Sequence, residues 1–327
     1  MLKFIKTISF FAVVISITLL VLLYIQPYLY RVLPSDYQRH MILQDYFSQN
    51  SKTAKGEILI FGASETMFGI DSRIIKKDLD LTGEAYNLSS VGQSMYEASY
   101  YYTRITDNTK LVIQCSTPMF FAMDWDHYLS NEVSISMYLS GYRINDSTKK
   151  LIPNYNHFFN KPEIYNLFLC RTYFRSYIHN LIRPFFDNEV FEENVPELYF
   201  ANGTTIERHP NYPVYPYDCS PFKFKEKPNH KLNFINKIVE YFNNKNIKYV
   251  IILMPVNPDL CSECYDDFNK YTDELRKIKG LYVINITHLL EPRYFYDGYH
   301  ANKNGAKLIS KEISKQLKLL HLTDYLK

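Results

Sequence analysis

The chain has 327 residues, 46% of them hydrophobic and 22% charged, with a formal net charge of +3. That length holds one large domain or two ordinary ones, with apolar content sufficient for a full core. So small a charge excess argues against a nucleic-acid partner, and no Lys/Arg stripe with interleaved stacking aromatics points to one.

The first element decides the compartment. Lys3 and Lys6 precede "TISFFAVVISITLLVLLYI", and no charge follows from Thr7 until Arg31. At 1.5 Å per residue, residues 7–25 span roughly 30 Å, the thickness of a bilayer core. A cleaved signal peptide has a shorter apolar region and a small-x-small cleavage site. Here the exit reads "YIQPYLYRVLP", with Tyr24, Tyr28 and Tyr30 at interfacial depth and no Ala-x-Ala. We expect a cytoplasmic N-terminus (1–6), an uncleaved single-pass anchor in the cell membrane (7–27) and a linker (28–55). The domain at 56–327 then lies outside the cytoplasm. The two lysines favour that orientation, against the weaker pull of Arg31 and Arg39.

From Glu57 onward short apolar runs alternate with helical periods. Strands are expected at "EILIFG" (57–62), "EAYNLSS" (84–90), "KLVIQCS" (110–116), "KYVIILMPV" (248–256) and "LYVINIT" (281–287). Helices are expected near 94–106, 230–246, 263–278 and 302–320. Ile- and Val-rich strands alternating with amphipathic helices imply an α/β fold, a five-stranded parallel sheet covered on both faces in three layers. The stretch from about 120 to 228 breaks the rhythm with repeated prolines, seven of them between Pro153 and Pro216, and reads as a large aromatic-rich insertion. Much of the excess of 30 Tyr and 22 Phe falls there. Such a segment can line a groove for sugar or polymer, or it can reflect a compositional bias toward Tyr, Asn, Lys and Ile.

Five cysteines leave at least one without an intrachain partner. Cys261 and Cys264 form C-x-x-C, but no second pair or suitably spaced histidines complete a metal site. A local disulfide and two idle thiols both remain open. No cofactor or metal is expected.

The first core strand ends in "IFGASETMFGID", where a small-residue turn sets Ser64 at the carboxyl edge of the sheet. The second glycine of a G-x-S-x-G elbow is missing, which argues against an α/β-hydrolase. The loop after the last strand emerges at the same edge and carries Asp297 and His300 in "DGYH". Three residues apart in one turn, both side chains can face the same way. His300 then takes a proton from Ser64 while Asp297 fixes the imidazole tautomer and stabilises its charged form. A blander reading makes Asp297 and His300 caps of the final helix and Ser64 a turn residue of an inactive scaffold. His127, His157, His179, His209 and His288 have no partner pattern, and Glu65 suits the start of a helix.

These residues carry a resemblance. Gly62-Ala63-Ser64 matches the first block, usually G-D-S, of the SGNH (GDSL-like) hydrolase superfamily, and Asp297 to His300 matches its final D-x-x-H block. The likeness covers about residues 56–118 and 230–320. It implies Ser64 as nucleophile, His300 as base and then acid, Asp297 as its orienter, and the amides of Ser64 and Gly92 as oxyanion donors. The G-x-N-D asparagine of the third block has no match; "QCSTPMFF" follows the third strand, so Ser116 or Thr117 stands where that donor would be. Departure there, together with "GASE" after one N-terminal anchor, is similar to membrane-anchored relatives such as the teichoic-acid D-alanylation protein and alginate-type O-acetyltransferases. The resemblance therefore implies acyl-ester chemistry, transfer or hydrolysis, on an extracytoplasmic glycan or glycopolymer. A multispanning membrane partner would supply acyl groups. The alternative is an inactive envelope scaffold that binds glycan or organises a complex.

Overall fold

Five aliphatic runs pair into one parallel sheet: β1 (Glu57–Phe61), β2 (Ala85–Asn87), β3 (Thr109–Ser116), β4 (Lys248–Leu253) and β5 (Leu281–Asn285). The strand order is β2-β1-β3-β4-β5. This computed structural model describes residues 2–32, 57–90, 92–105, 107–122, 151, 230–261 and 265–326. The linker expected at 28–55 lies outside them beyond Val32, as does the insertion apart from residues 120–122 and Leu151.

The N-terminal helix α1 (Leu2–Val32) is longer than the expected anchor at both ends. Its stretch Phe4–Val21 is long and apolar enough to cross a membrane.

Each face of the sheet is buried because neighbouring residues along a strand point to opposite sides. Ile58, Ile60, Leu111, Ile113, Val250 and Ile252 form an aliphatic core with Ile309, Ile313 and Leu317. Those last three recur every four residues along α7 (Lys303–Leu319), so one stripe of that helix is buried while Lys307, Lys311 and Lys315 stay in water. Full burial of an aliphatic side chain is worth about 1.5–3 kcal/mol, so this stripe holds α7 on the sheet. Helices α2 (Ser64–Gly69) and α3 (Ser72–Asp78) pack beside it.

The opposite face is aromatic. Phe61 meets Tyr102 edge-on at 5.2 Å, Tyr102 meets Phe242 at 5.0 Å, and Phe242 stacks on Tyr249 at 5.2 Å. Tyr102 and Phe242 come from α4 (Met95–Tyr102) and α5 (His230–Asn243), while α6 (Tyr265–Arg276) covers β5. Burial raises the phenol pKa values of Tyr102 and Tyr249 well above the ordinary tyrosine value. The Tyr102 hydroxyl donates to Gln114 Oε1 at 2.5 Å, which satisfies the polar tip inside this layer.

Two differences from the expected elements have local causes. β2 ends at Asn87 instead of residue 90; there the Asn87 side chain accepts the Ser89 amide, while the Leu88 and Ser90 amides still donate to the Ile60 and Gly62 carbonyls beside β1. Helices α2 and α3 were not expected from periodicity. They are six and seven residues long, and Asp71 separates them by capping α3, accepting the Arg73 amide at 2.9 Å.

Candidate active site

β1 delivers the chain to Gly62, and there is no room for a larger residue. A Cβ at this position would lie 2.1 Å from Thr66 Oγ1 and 3.0 Å from the Cys115 carbonyl oxygen. The Gly62 amide donates to Gln93 Oε1 at 2.9 Å and its carbonyl accepts the Ser90 amide at 3.1 Å. Gln93 is itself fixed by donation to the Leu88 carbonyl and Ser90 Oγ. Loops after β1 and β2 are thereby tied together directly beneath Ser64.

Ser64 is the first residue of α2, so it opens a helix and does not sit in a free turn. Its amide stands ahead of the first bonds of the helix, which the Thr66 and Met67 amides make to the Ala63 carbonyl, each at 3.0 Å. Glu65 stands in that same turn, as a helix-start acid should. From below, the buried Asn87 donates to the carbonyls of Thr66 (3.3 Å) and Ile70 (3.0 Å), holding α2 against the end of β2.

The loop after β5 closes on itself. Phe295 and Ala301 form an antiparallel bridge, and the Tyr296 amide donates to the His300 carbonyl at 2.7 Å. Inside this loop Asp297 Oδ1 accepts the amides of Tyr299 and His300, both at 2.7 Å. Oδ2 lies 2.7 Å from His300 Nδ1, and His300 Nε2 lies 2.8 Å from Ser64 Oγ. Three residues separated by up to 236 positions thus form one continuous chain of hydrogen bonds. Since a carboxylate only accepts, the Asp297 contact sets Nδ1 as the donor and leaves Nε2 as acceptor for the serine hydroxyl. Phe68 walls the imidazole, its ring edge-on at 5.5 Å.

Burial alone would raise the Asp297 carboxyl pKa. The His300 ring, through its hydrogen bond and charge, and the Tyr299 and His300 amides outweigh burial, so the group is held below the ordinary aspartate value. With 28% of its side chain exposed it is only part-buried, and it remains ionised at neutral pH.

The helix cap is a different residue. Asn302 Oδ1 accepts the Asn304 and Gly305 amides, each at 3.1 Å, at the start of α7. Gly305 lets α7 press on the preceding turn, since a Cβ there would lie 2.4 Å from the Tyr294 carbonyl oxygen. Asp297 and His300 therefore do not cap α7. Their hydrogen bonds go to their own loop and to Ser64.

The remaining expected residues stand at the same sheet edge without joining that chain. Gly92 is exposed in the β2–α4 loop with φ 69°. Behind it, a reciprocal capping box between Ser94 and Glu97 starts α4. Ser116 ends β3, its hydroxyl donating to the Thr117 carbonyl at 3.2 Å. The Thr117 carbonyl also accepts the Phe120 amide at 3.0 Å. His288 packs against the Tyr265 ring at 4.0 Å. Among the described residues no cluster of His, Cys, Asp and Glu suits a metal ion. Cys264, His127, His157, His179 and His209 lie outside those residues.

Sequence reading passed over Asn87, Gln93 and Phe68. Phe68 is four residues after Ser64, a helical interval that becomes informative only once α2 is seen to begin at Ser64. Asn87 and Gln93 act by hydrogen bonds to distant backbone, which leave no local pattern.

A family model that carries no functional description matches residues 222–320. It takes in β4, β5 and the Asp297–His300 loop but not the Ser64 turn. No curated protein matches the chain. A solved structure from Streptococcus pneumonia, provisionally described as a platelet activating factor, is similar at 9% identity with a TM-score of 0.43. That alignment covers 86% of this chain and 91% of the other. So weak a likeness carries no argument about chemistry. What the chain itself defines is an α/β domain with a Ser-His-Asp hydrogen-bonded chain at the carboxyl edge of its sheet.

Proposed function

We propose that this protein is a membrane-anchored serine acyl-ester enzyme of SGNH type, acting on an extracytoplasmic polysaccharide or glycopolymer. The observation that carries this reading is the pair of contacts at His300, 2.8 Å to Ser64 Oγ and 2.7 Å to Asp297 Oδ2. Nucleophile, base and orienting acid at such distances are what acyl transfer through serine requires.

The chemistry follows from the donors. Ser64 Oγ adds to an ester carbonyl carbon while its proton passes to His300 Nε2. Imidazolium forms, and the ionised Asp297 stabilises it through Nδ1. The carbonyl oxygen takes up the negative charge, met by the Ser64 and Gly92 amides. Collapse expels the alcohol, which receives the proton from His300, and leaves the acyl group on Ser64. A water or a sugar hydroxyl then attacks the acyl-enzyme and gives its proton to His300, and collapse breaks the bond to Ser64 Oγ, which takes that proton back as the acyl product leaves. Water makes the enzyme an esterase, and a sugar hydroxyl makes it an O-acyltransferase. An apolar stretch at Phe4–Val21, which would hold the enzyme at a membrane, supports an envelope polymer as substrate. A multispanning partner would then deliver acyl groups to the outer face.

The test is turnover of p-nitrophenyl acetate by the detergent-solubilised full chain. Wild type should hydrolyse it and Ser64→Ala should not. Equal turnover by both would refute the reading.

A further inference from the structure

Asn257, in the loop after β4, carries a group that the Ser64–His300–Asp297 relay does not use. The residue is fully buried. Its Oδ1 accepts the Asp259 amide at 3.0 Å and its carbonyl accepts the Leu260 amide at 2.9 Å, so it caps the single turn Pro258–Cys261. The Asp259 bond decides which side-chain atom is oxygen, because a backbone N–H must meet an acceptor. On the other side, Asn257 Nδ2 is buried and has no hydrogen-bond partner among the described residues. Native proteins rarely leave a buried amide donor unpaired, since the group has lost water and gained nothing.

Its place in the topology suggests why. Ser64 follows β1 and His300 follows β5, yet the two are hydrogen-bonded. In the order β1-β3-β4-β5, the ends of β3 and β4 lie between them. The sheet is extended beyond those ends by Met254 N to Ser116 O (2.9 Å) and Val256 N to Thr287 O (3.1 Å). Asn257 is the next residue, two strand spacings from β1, or roughly 10 Å along the sheet. An asparagine side chain and a substrate carbonyl together bridge such a span. By contrast, near the β3 end the Gln114 amide is spent on the Cys115 carbonyl at 2.9 Å and the Ser116 hydroxyl on the Thr117 carbonyl.

We propose that Asn257 Nδ2 is an oxyanion donor, taking the place that Ser116 or Thr117 was expected to fill. This rests on Ser64 being the nucleophile. As Ser64 Oγ adds to the ester carbon, the carbonyl electron pair moves onto oxygen, and Nδ2–H donates to it without giving up its proton. The bond strengthens as charge develops, so it acts on kcat more than on KM.

Asn257→Ser retains a good cap acceptor but withdraws the amide, and Asn257→Asp retains the cap and the shape but replaces the donor with a negative acceptor. On p-nitrophenyl acetate, Asn257→Ser should lose about 10²–10³-fold in kcat with KM within about threefold. Asn257→Asp should lose at least as much, and the melting temperature of Asn257→Ser should stay near wild type. Wild-type kcat in Asn257→Ser would overturn the proposal, as would a loss in KM alone or a melting temperature that falls in step with kcat. Should Asn257→Asp fail to fold, Asn257→Ser alone decides. Ser64→Ala is assayed alongside. If it is dead while Asn257→Ser is fully active, only this inference fails; if Ser64→Ala keeps its turnover, the nucleophile reading and this inference fall together.

Discussion

The Asp297–His300 loop and the Asn257 turn leave the same edge of the sheet but treat their polar atoms in opposite ways. In the first, both oxygens of Asp297 and both ring nitrogens of His300 are engaged, and the loop is closed by its own bridge. In the second, a buried amide is held in place by its cap bond and has no partner on its other side among the described residues. A proton relay works from the resting state, so its members must already be aligned before substrate arrives. Oxyanion donors answer a charge that exists only during reaction, so donors left free at rest are no defect. We read the two loops as the finished and the waiting halves of one site.

The comparison breaks most severely on the relay side. On the proposed mechanism His300→Ala removes the group that would accept the serine proton, so its kcat should fall by several orders of magnitude, close to that of Ser64→Ala. Steady-state assay of the two variants side by side checks this. Full activity in His300→Ala would put the base elsewhere. Asp297→Asn should cost less than His300→Ala and less than the ~10⁴-fold loss seen for the same change in a Ser-His-Asp protease. After that substitution the Phe295–Ala301 bridge still closes the loop and Phe68 still walls the ring. A loss greater than that of His300→Ala would contradict the roles given.

Next in size is the floor beneath Ser64. Gly62→Ala drives a methyl into Thr66 and the Cys115 carbonyl, so it should destabilise by about 1–3 kcal/mol in urea unfolding. Because α2 must shift, turnover should fall too. An unfolding midpoint equal to wild type would show that the turn is looser than its contacts indicate.

The smallest effect sharpens the account of Asp297. Its folded pKa lies below the unfolded value, so its ionised form stabilises the fold above the ordinary carboxylate range, around pH 4. That contribution is lost as pH falls through the folded value. The difference in melting temperature between wild type and Asp297→Asn should therefore narrow steadily below about pH 4. A gap that widens on acidification would mean that the carboxyl is not held down in the native state.

How much of this was legible in the sequence follows the range of the interaction concerned. β3 and β4 were readable because a strand buried on both faces needs a run of aliphatic residues, β5 because its Val and Ile stand between turn residues although it lies half-buried at the sheet edge, and α7 because its apolar stripe recurs at helical spacing. Ser64, Asp297 and His300 were readable because parallel topology brings every strand's carboxyl end to one edge. Short α2 and α3 were not, since two turns give too little periodicity and their boundary rests on the Asp71 cap. Nor were the ties from Asn87 to α2 and from Gln93 to Gly62, which join loops far apart in the chain. The orphaned amide of Asn257 was the least legible, because an Asn before Pro in "MPVNPDL" reads as an ordinary turn.

The central claim, that Ser64 is a nucleophile activated by His300, has a direct measurement. The purified full chain is treated with a fluorophosphonate probe, digested, and the modified residue located by mass spectrometry. We predict a single adduct on Ser64, abolished in Ser64→Ala and greatly slowed in His300→Ala. An adduct on another residue, or labelling of Ser64 at an undiminished rate without His300, would contradict the account.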